Sequence, residues 1–185
     1  MSIDEATATR SEQDTCVVDA QYPYFFISEG TDLVNPGVLS HSGMVNASPG
    51  KVKLQVPWIA SQVRVVTEIR TERPATELDT YEDVIEFGYR SATGLAAILD
   101  WTRKLSCEWD PLPIGAGDYR LRYHVRDGLG HAADGDTPKG SVAEALIQIW
   151  PGGLGELEEL KISSAFGHFW HPGSRLRDVW NFPRV

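Results

Sequence analysis

Cysteine is scarce in this chain of 185 residues, which has only Cys16 and Cys107. Two thiols so distant in sequence build neither a disulfide framework nor a four-thiolate metal site. Both are expected to be reduced core residues of a cytoplasmic protein. Long apolar runs are also absent, because charges, Pro or Gly interrupt every hydrophobic segment well short of the ~18 consecutive apolar residues of a membrane helix. No membrane partner is expected. The first fifteen residues carry Asp4, Glu5, Glu12 and Asp14 without a basic start leading into an apolar stretch, so no secretory signal is expected there. Positive charge is the third shortage. Lys and Arg number 17 against 26 Asp and Glu, giving a net charge of -9. That balance opposes attraction to phosphate backbones, and direct nucleic-acid contact is not expected. The phosphate-loop, dinucleotide and nucleophile-elbow motifs are missing as well.

What the chain has is a rhythm of short strands. A composition of 42% hydrophobic and 23% charged residues fits one folded domain. The polar residues 1–14 are expected to form a mobile tail, residues 15–164 a single β domain, and residues 165–185 an aromatic and basic segment packed on it. Apolar or alternating runs recur at 16–20, 22–28, 43–47, 52–56, 63–70, 81–89, 95–101, 118–125 and 142–150. Turn formers such as Asn35-Pro36-Gly37 and Ser48-Pro49-Gly50 separate them. The expected fold is all-β, a mainly antiparallel sandwich or jelly roll with at most one or two short helices.

Period-2 patterning places Val63, Val65, Thr67 and Ile69 on one face, and Ile85, Phe87 and Tyr89 on another. In DYRLRYHV, Tyr119, Leu121, Tyr123 and Val125 alternate with Arg120, Arg122 and His124, followed by Arg126. These alternations predict antiparallel strands with one face in water. Leu154, Leu157 and Leu160 recur at helical spacing and predict a short helix within 154–162.

Several side chains carry candidate chemistry. Arg120, Arg122 and His124 form a basic strand face able to bind an anion, although Glu68, Glu86 and Glu144 on neighbouring strands favour cross-strand pairing. His168 and His171 have an H-x-x-H spacing that supplies two metal ligands on a helix, with His124, His41 or His131 available only through the fold. Asp127, Asp134 and Asp136 are oxygen donors in a loop without calcium-loop spacing. Of Trp58, Trp101, Trp109, Trp150, Trp170 and Trp180, the best candidates for an exposed contact are Trp109 and Trp170. No cofactor is expected.

The central segment carries a resemblance. The stretch YEDVIEFGYRSATGLAAI, then LPIGAGDYRLRYHVRD with Leu112-Pro113, Gly117-Asp118-Tyr119 and Leu121, and finally EALIQIWPG, resembles the bacterial competence nuclease inhibitor family and related bacterial proteins. The match spans roughly residues 40 to 151, and its motifs are structural. The resemblance implies a β-rich, non-enzymatic protein that binds and restrains a basic partner such as a nuclease or toxin. An acidic surface suits that role, since it steers association with a basic protein. Two alternatives remain: a metal-dependent enzyme using His124, His168 and His171, and a β-sandwich binding a carbohydrate or small ligand through Trp and the basic strand.

Overall fold

The computed structural model describes residues 12–30, 40–57, 60–127 and 142–171. One six-stranded sheet runs β1 (Glu12–Asp19), β6 (Gln62–Ile69), β11 (Val142–Pro151), β10 (Gly117–Arg126), β7 (Asp83–Ser91) and β12 (Glu158–Ile162). The other runs β3 (Ser40–His41), β4 (Val45–Ser48), β5 (Lys51–Gln55), β2 (Tyr24–Ser28), β8 (Ala97–Leu99) and β9 (Leu105–Glu108). Among the described residues the only helix is α1 (Ala165–Trp170). The chain is therefore mainly β, as its alternation predicts.

Alternation also identifies the core. Tyr119, Leu121, Tyr123 and Val125 of β10 are fully buried together with Ile85, Phe87 and Tyr89 of β7, and with Val63 and Val65 of β6. Phe25 and Ile27 of β2 and Val52 and Leu54 of β5 belong to the same apolar cluster, so the two sheets share one core. Burying each large apolar side chain contributes about 1.5–3 kcal/mol, which makes this cluster the main stabilising term. Within the second sheet, Pro49-Gly50 joins β4 to β5. Gly50 takes φ +70°, which suits the position after a turn proline.

The mainly antiparallel expectation holds, while three particulars differ from simple wet-faced, all-antiparallel strands with a helix at 154–162. First, the ladders are antiparallel except one: β6 and β11 pair in parallel, from Gln62 opposite Val142 to Ile69 opposite Ile149. The long excursion through β7 to β10 supplies the crossover that a parallel pair requires. Second, the central strands are not wet on one face. Seven consecutive residues of β7, from Asp83 to Tyr89, are buried, as are Tyr119 to Val125 of β10. Segments 70–82 and 152–157 cover their outer face. Gly88 shows how close the cover lies, because a Cβ there would overlap the Leu154 carbonyl.

Third, residues 154–162 do not form a helix. Residues 154–157 have no regular structure, and Glu158–Ile162 is β12, bulged between Glu159 and Lys161 as it pairs with β7. The carbonyls of Leu154 and Glu156 accept hydrogen bonds from Arg120, so they serve the sheet rather than a helical turn. Helix α1 follows instead. Ser164 caps it, accepting from the Gly167 N–H at 2.8 Å, while Asp83 accepts from the Ser163 and Ser164 N–H groups at 2.9 and 3.1 Å. Phe166 and Phe169 are buried, so this part of the C-terminal segment packs down. Residues 172–185, residues 1–11 and the Asp134–Asp136 loop lie outside the described residues.

Candidate functional site: a buried charge network and an acidic edge

Strand register assembles the basic residues. Arg122 lies opposite Glu86 on β7 and Gln148 on β11, and Arg126 lies opposite Glu144. Arg122 is fully buried, and its Nε and Nη2 donate to Glu86 Oε2 at 3.1 and 3.0 Å. Its Nη1 donates to the Ala75 carbonyl at 3.0 Å and to Gln148 Oε1 at 3.3 Å. The guanidinium also lies 5.2 Å from the Trp150 ring centroid, within cation–π range. Arg120 Nε donates to Glu86 Oε1 at 3.2 Å, and Arg73 Nη2 reaches Oε2 at 3.2 Å. Burial alone would raise the Glu86 carboxyl, but the hydrogen bonds and charge of Arg122, with help from Arg73 and Arg120, hold it below the usual carboxylate range.

The network continues across the sheet. Gln148 Nε2 donates to Glu68 Oε2 at 2.9 Å, and Arg70 Nη2 pairs with the same oxygen at 2.8 Å. Arg126 forms an ion pair with Glu144. The basic strand face is thus matched by Glu68, Glu86 and Glu144, the three carboxylates on neighbouring strands. It is a covered layer rather than a solvated one. The donors of Arg120 and Arg122 are committed inside the protein, so an anion would have to displace Glu86 or the covering carbonyls.

His124 sits in the same layer and is fully buried. Its Nδ1 lies 3.3 Å from the Leu146 carbonyl, while Nε2 has no hydrogen-bond partner among the described residues. Tyr81 packs on the ring with centroids 5.1 Å apart. Burial, reinforced by the Arg122 charge, pushes the imidazole pKa down to about 4, so the ring is neutral at pH 7.

The remaining candidates are dispersed. Trp109 is 7% exposed, packed into the core rather than displayed. Trp170 is partly buried on α1, edge-on to Phe169. His168 is exposed on α1, whereas His171 Nδ1 lies 2.6 Å from Glu159 Oε2. Among the described residues, no three His, Cys, Asp or Glu side chains form a group able to hold a metal ion. No helix among them is long and apolar enough to cross a membrane.

An edge that sequence reading passed over is more exposed. On β1, Cys16 and Val18 turn inward, and Thr15, Val17 and Asp19 turn out. Val17 and Tyr22 are each 55% exposed. Tyr22 leans on Trp101 with centroids 4.6 Å apart, and Trp101 Nε1 donates to Asp19 Oδ1 at 3.3 Å. Asp14 is exposed on the same strand, and Arg64 lies opposite Val17 in register. Large apolar groups therefore stand beside carboxylates on a strand that, among the described residues, has a sheet neighbour on one side only. The alternation Cys16-Val17-Val18-Asp19 contained this signal, since a half-buried strand must display one of its two valines.

Comparison with known proteins gives a likeness of fold. No family model matches the sequence, and no curated protein matches it. Among solved structures, ComJ from Bacillus subtilis, an inhibitor of the DNA-degrading activity of NucA, aligns with a TM-score of 0.49 at 12% identity. The fold weakly resembles ComJ. The alignment covers 76% of this chain and 97% of ComJ. The Crocagin biosynthetic gene J product aligns with a TM-score of 0.42 at 14% identity, over 78% of this chain and 98% of its own.

Proposed function

We propose that this is a non-enzymatic binding protein that restrains a basic partner protein, a nuclease or toxin, through the outward side of β1 and the adjoining Tyr22–Trp101 pair. The observation that carries this reading is the acidic and apolar edge itself: Val17, Asp19 and Tyr22 are all exposed along a strand, and its continuation, that is an edge among the described residues. Interfaces place an apolar anchor within a polar rim, and tyrosine is enriched at energetic hot spots. The net charge of -9 supplies long-range attraction toward a basic protein. Arg120, Arg122 and His124 are committed to the buried layer and lie apart from this edge. The class of partner follows the sequence resemblance in the central strands.

The test is affinity capture from the source lysate with the wild type and a Val17→Asp/Tyr22→Ala variant, at low and moderate salt. The expected result is stoichiometric recovery of one basic protein by the wild type, weakened by salt and lost in the variant. Titration of the wild type into the purified partner should then abolish its nuclease or toxin activity. Equal recovery by both chains, or a captured protein whose activity is untouched, would refute the reading.

A further inference from the structure

The two cysteines, distant in sequence, meet where the sheets come together. Cys16 lies on β1, an edge strand of the first sheet, and Cys107 on β9, an edge strand of the second. The strands touch without sharing a ladder. Both side chains are partly buried against the common core, and each thiol is close enough to perturb the other's ionisation; Asp14, two residues before Cys16 on the same face of β1, is in contact with Cys107. Cys107 Sγ also lies 3.7 Å from Asp14 Oδ2. In the structure both cysteines are free thiols. Both thus pack against the core as expected, but only in part, and they lie on neighbouring edge strands.

We propose that Cys16 and Cys107 form a redox site that closes into an intramolecular disulfide, covalently joining the free edges of the two sheets. The inference is independent of the functional reading above. Inward-facing thiols on touching edge strands, with Cys107 already in contact with Asp14 beside Cys16, are placed for closure, which joins strands that have no backbone ladder between them.

The oxidant is a small-molecule disulfide such as oxidised glutathione. The Cys107 thiolate attacks one sulfur of the oxidant, forming a mixed disulfide and expelling one glutathione thiolate. The Cys16 thiolate then attacks the Cys107 sulfur, forming the protein disulfide and expelling the second glutathione. Two protein thiols lose two protons and two electrons in total, and one oxidised glutathione becomes two reduced ones. Cys107 is the attacking residue because the neighbouring Cys16 thiol favours its ionised form, whereas Cys107 disfavours that of Cys16. Burial raises both thiols, the neighbouring Cys107 raises Cys16 further, and Asp14 raises both. Attack at neutral pH is therefore slow, and the rate climbs about tenfold per pH unit as the thiolate fraction grows. The site acts as a slow lock rather than a fast peroxide sensor.

The full-length folded chain, incubated with oxidised glutathione at pH 7 and pH 8.5 and quenched with acid, provides the test. Intact mass and thiol titration in denaturant should show both thiols lost together with a decrease of about two mass units. Digestion should yield one cross-linked peptide pair containing Cys16 and Cys107. The Cys16→Ser variant should instead stop at a stable glutathione adduct on Cys107, and it controls for folding because the remaining thiol reports the same site. Separate glutathione adducts on both cysteines of the wild type, a cross-link between two molecules, or closure only in denaturant would overturn the proposal.

Discussion

Replacing Glu86 with Gln removes the carboxylate that two buried guanidiniums share. Side-chain exposure is 4% for Glu86, 0% for Arg122 and 10% for Arg120, so the charges left behind have little access to water. Breaking a buried ion pair by removing one partner costs about 3–5 kcal/mol, because the surviving charge remains desolvated. Gln retains an acceptor oxygen for one arginine but cannot neutralise either. At about 2–4 °C per kcal/mol for a chain of this size, the melting temperature should fall by about 6–20 °C. The paired replacement Glu86→Leu/Arg122→Met distinguishes pair from individual charges. It removes one carboxylate and one guanidinium together, leaving Arg120 its carbonyl partners at Leu154 and Glu156 and its ion pair with Glu158. That double variant should be more stable than Glu86→Leu alone, with a coupling of at least about 1 kcal/mol in urea unfolding. A Glu86→Gln variant within about 0.5 kcal/mol of the wild type, at unchanged urea dependence, would show that water reaches this layer and that the buried network does not hold the sheet's outer face.

Two further outcomes follow from neighbouring residues. His124 is neutral in the fold, with a pKa of about 4 against 6.5 when unfolded, so between those values the unfolded chain binds the extra proton and stability rises with pH. About 3 kcal/mol should be lost as pH falls from 6.5 to 4, and urea titrations should show that this part of the acid slope disappears in His124→Phe. Gly88→Ala drives a methyl group into the Leu154 backbone carbonyl, which also receives the Arg120 hydrogen bond. The substitution should cost about 1–3 kcal/mol by thermal circular dichroism, and an unchanged melting temperature would show that segment 152–157 does not lie against β7.

Tyr119, Leu121, Tyr123 and Val125 were legible as core because strand alternation depends on one local variable, the pleat, and their four inward positions need no knowledge of the partner strand. The opposite face of the same strand was only half legible. Glu68, Glu86 and Glu144 are identifiable as charge partners from sequence, because cross-strand pairing favours opposite signs. Whether those pairs meet in water or beneath cover depends on segments 70–82 and 152–157, which have no periodicity and are held through backbone carbonyls. Pro74, Ala75, Leu154 and Glu156 accept from Arg122 or Arg120 through groups that every residue possesses, so nothing in their side chains announces the role. The same reasoning explains why the helix expected within 154–162 does not form. Leu154, Leu157 and Leu160 satisfy a helical spacing, yet the free edge of β7 and the donors of Arg120 offer this backbone partners that only the assembled sheet provides. Cys16 and Cys107 are the extreme case, because they lie on different sheets and their proximity arises where β1 and β9 meet, a contact set by how the two sheets share a core rather than by any local pattern.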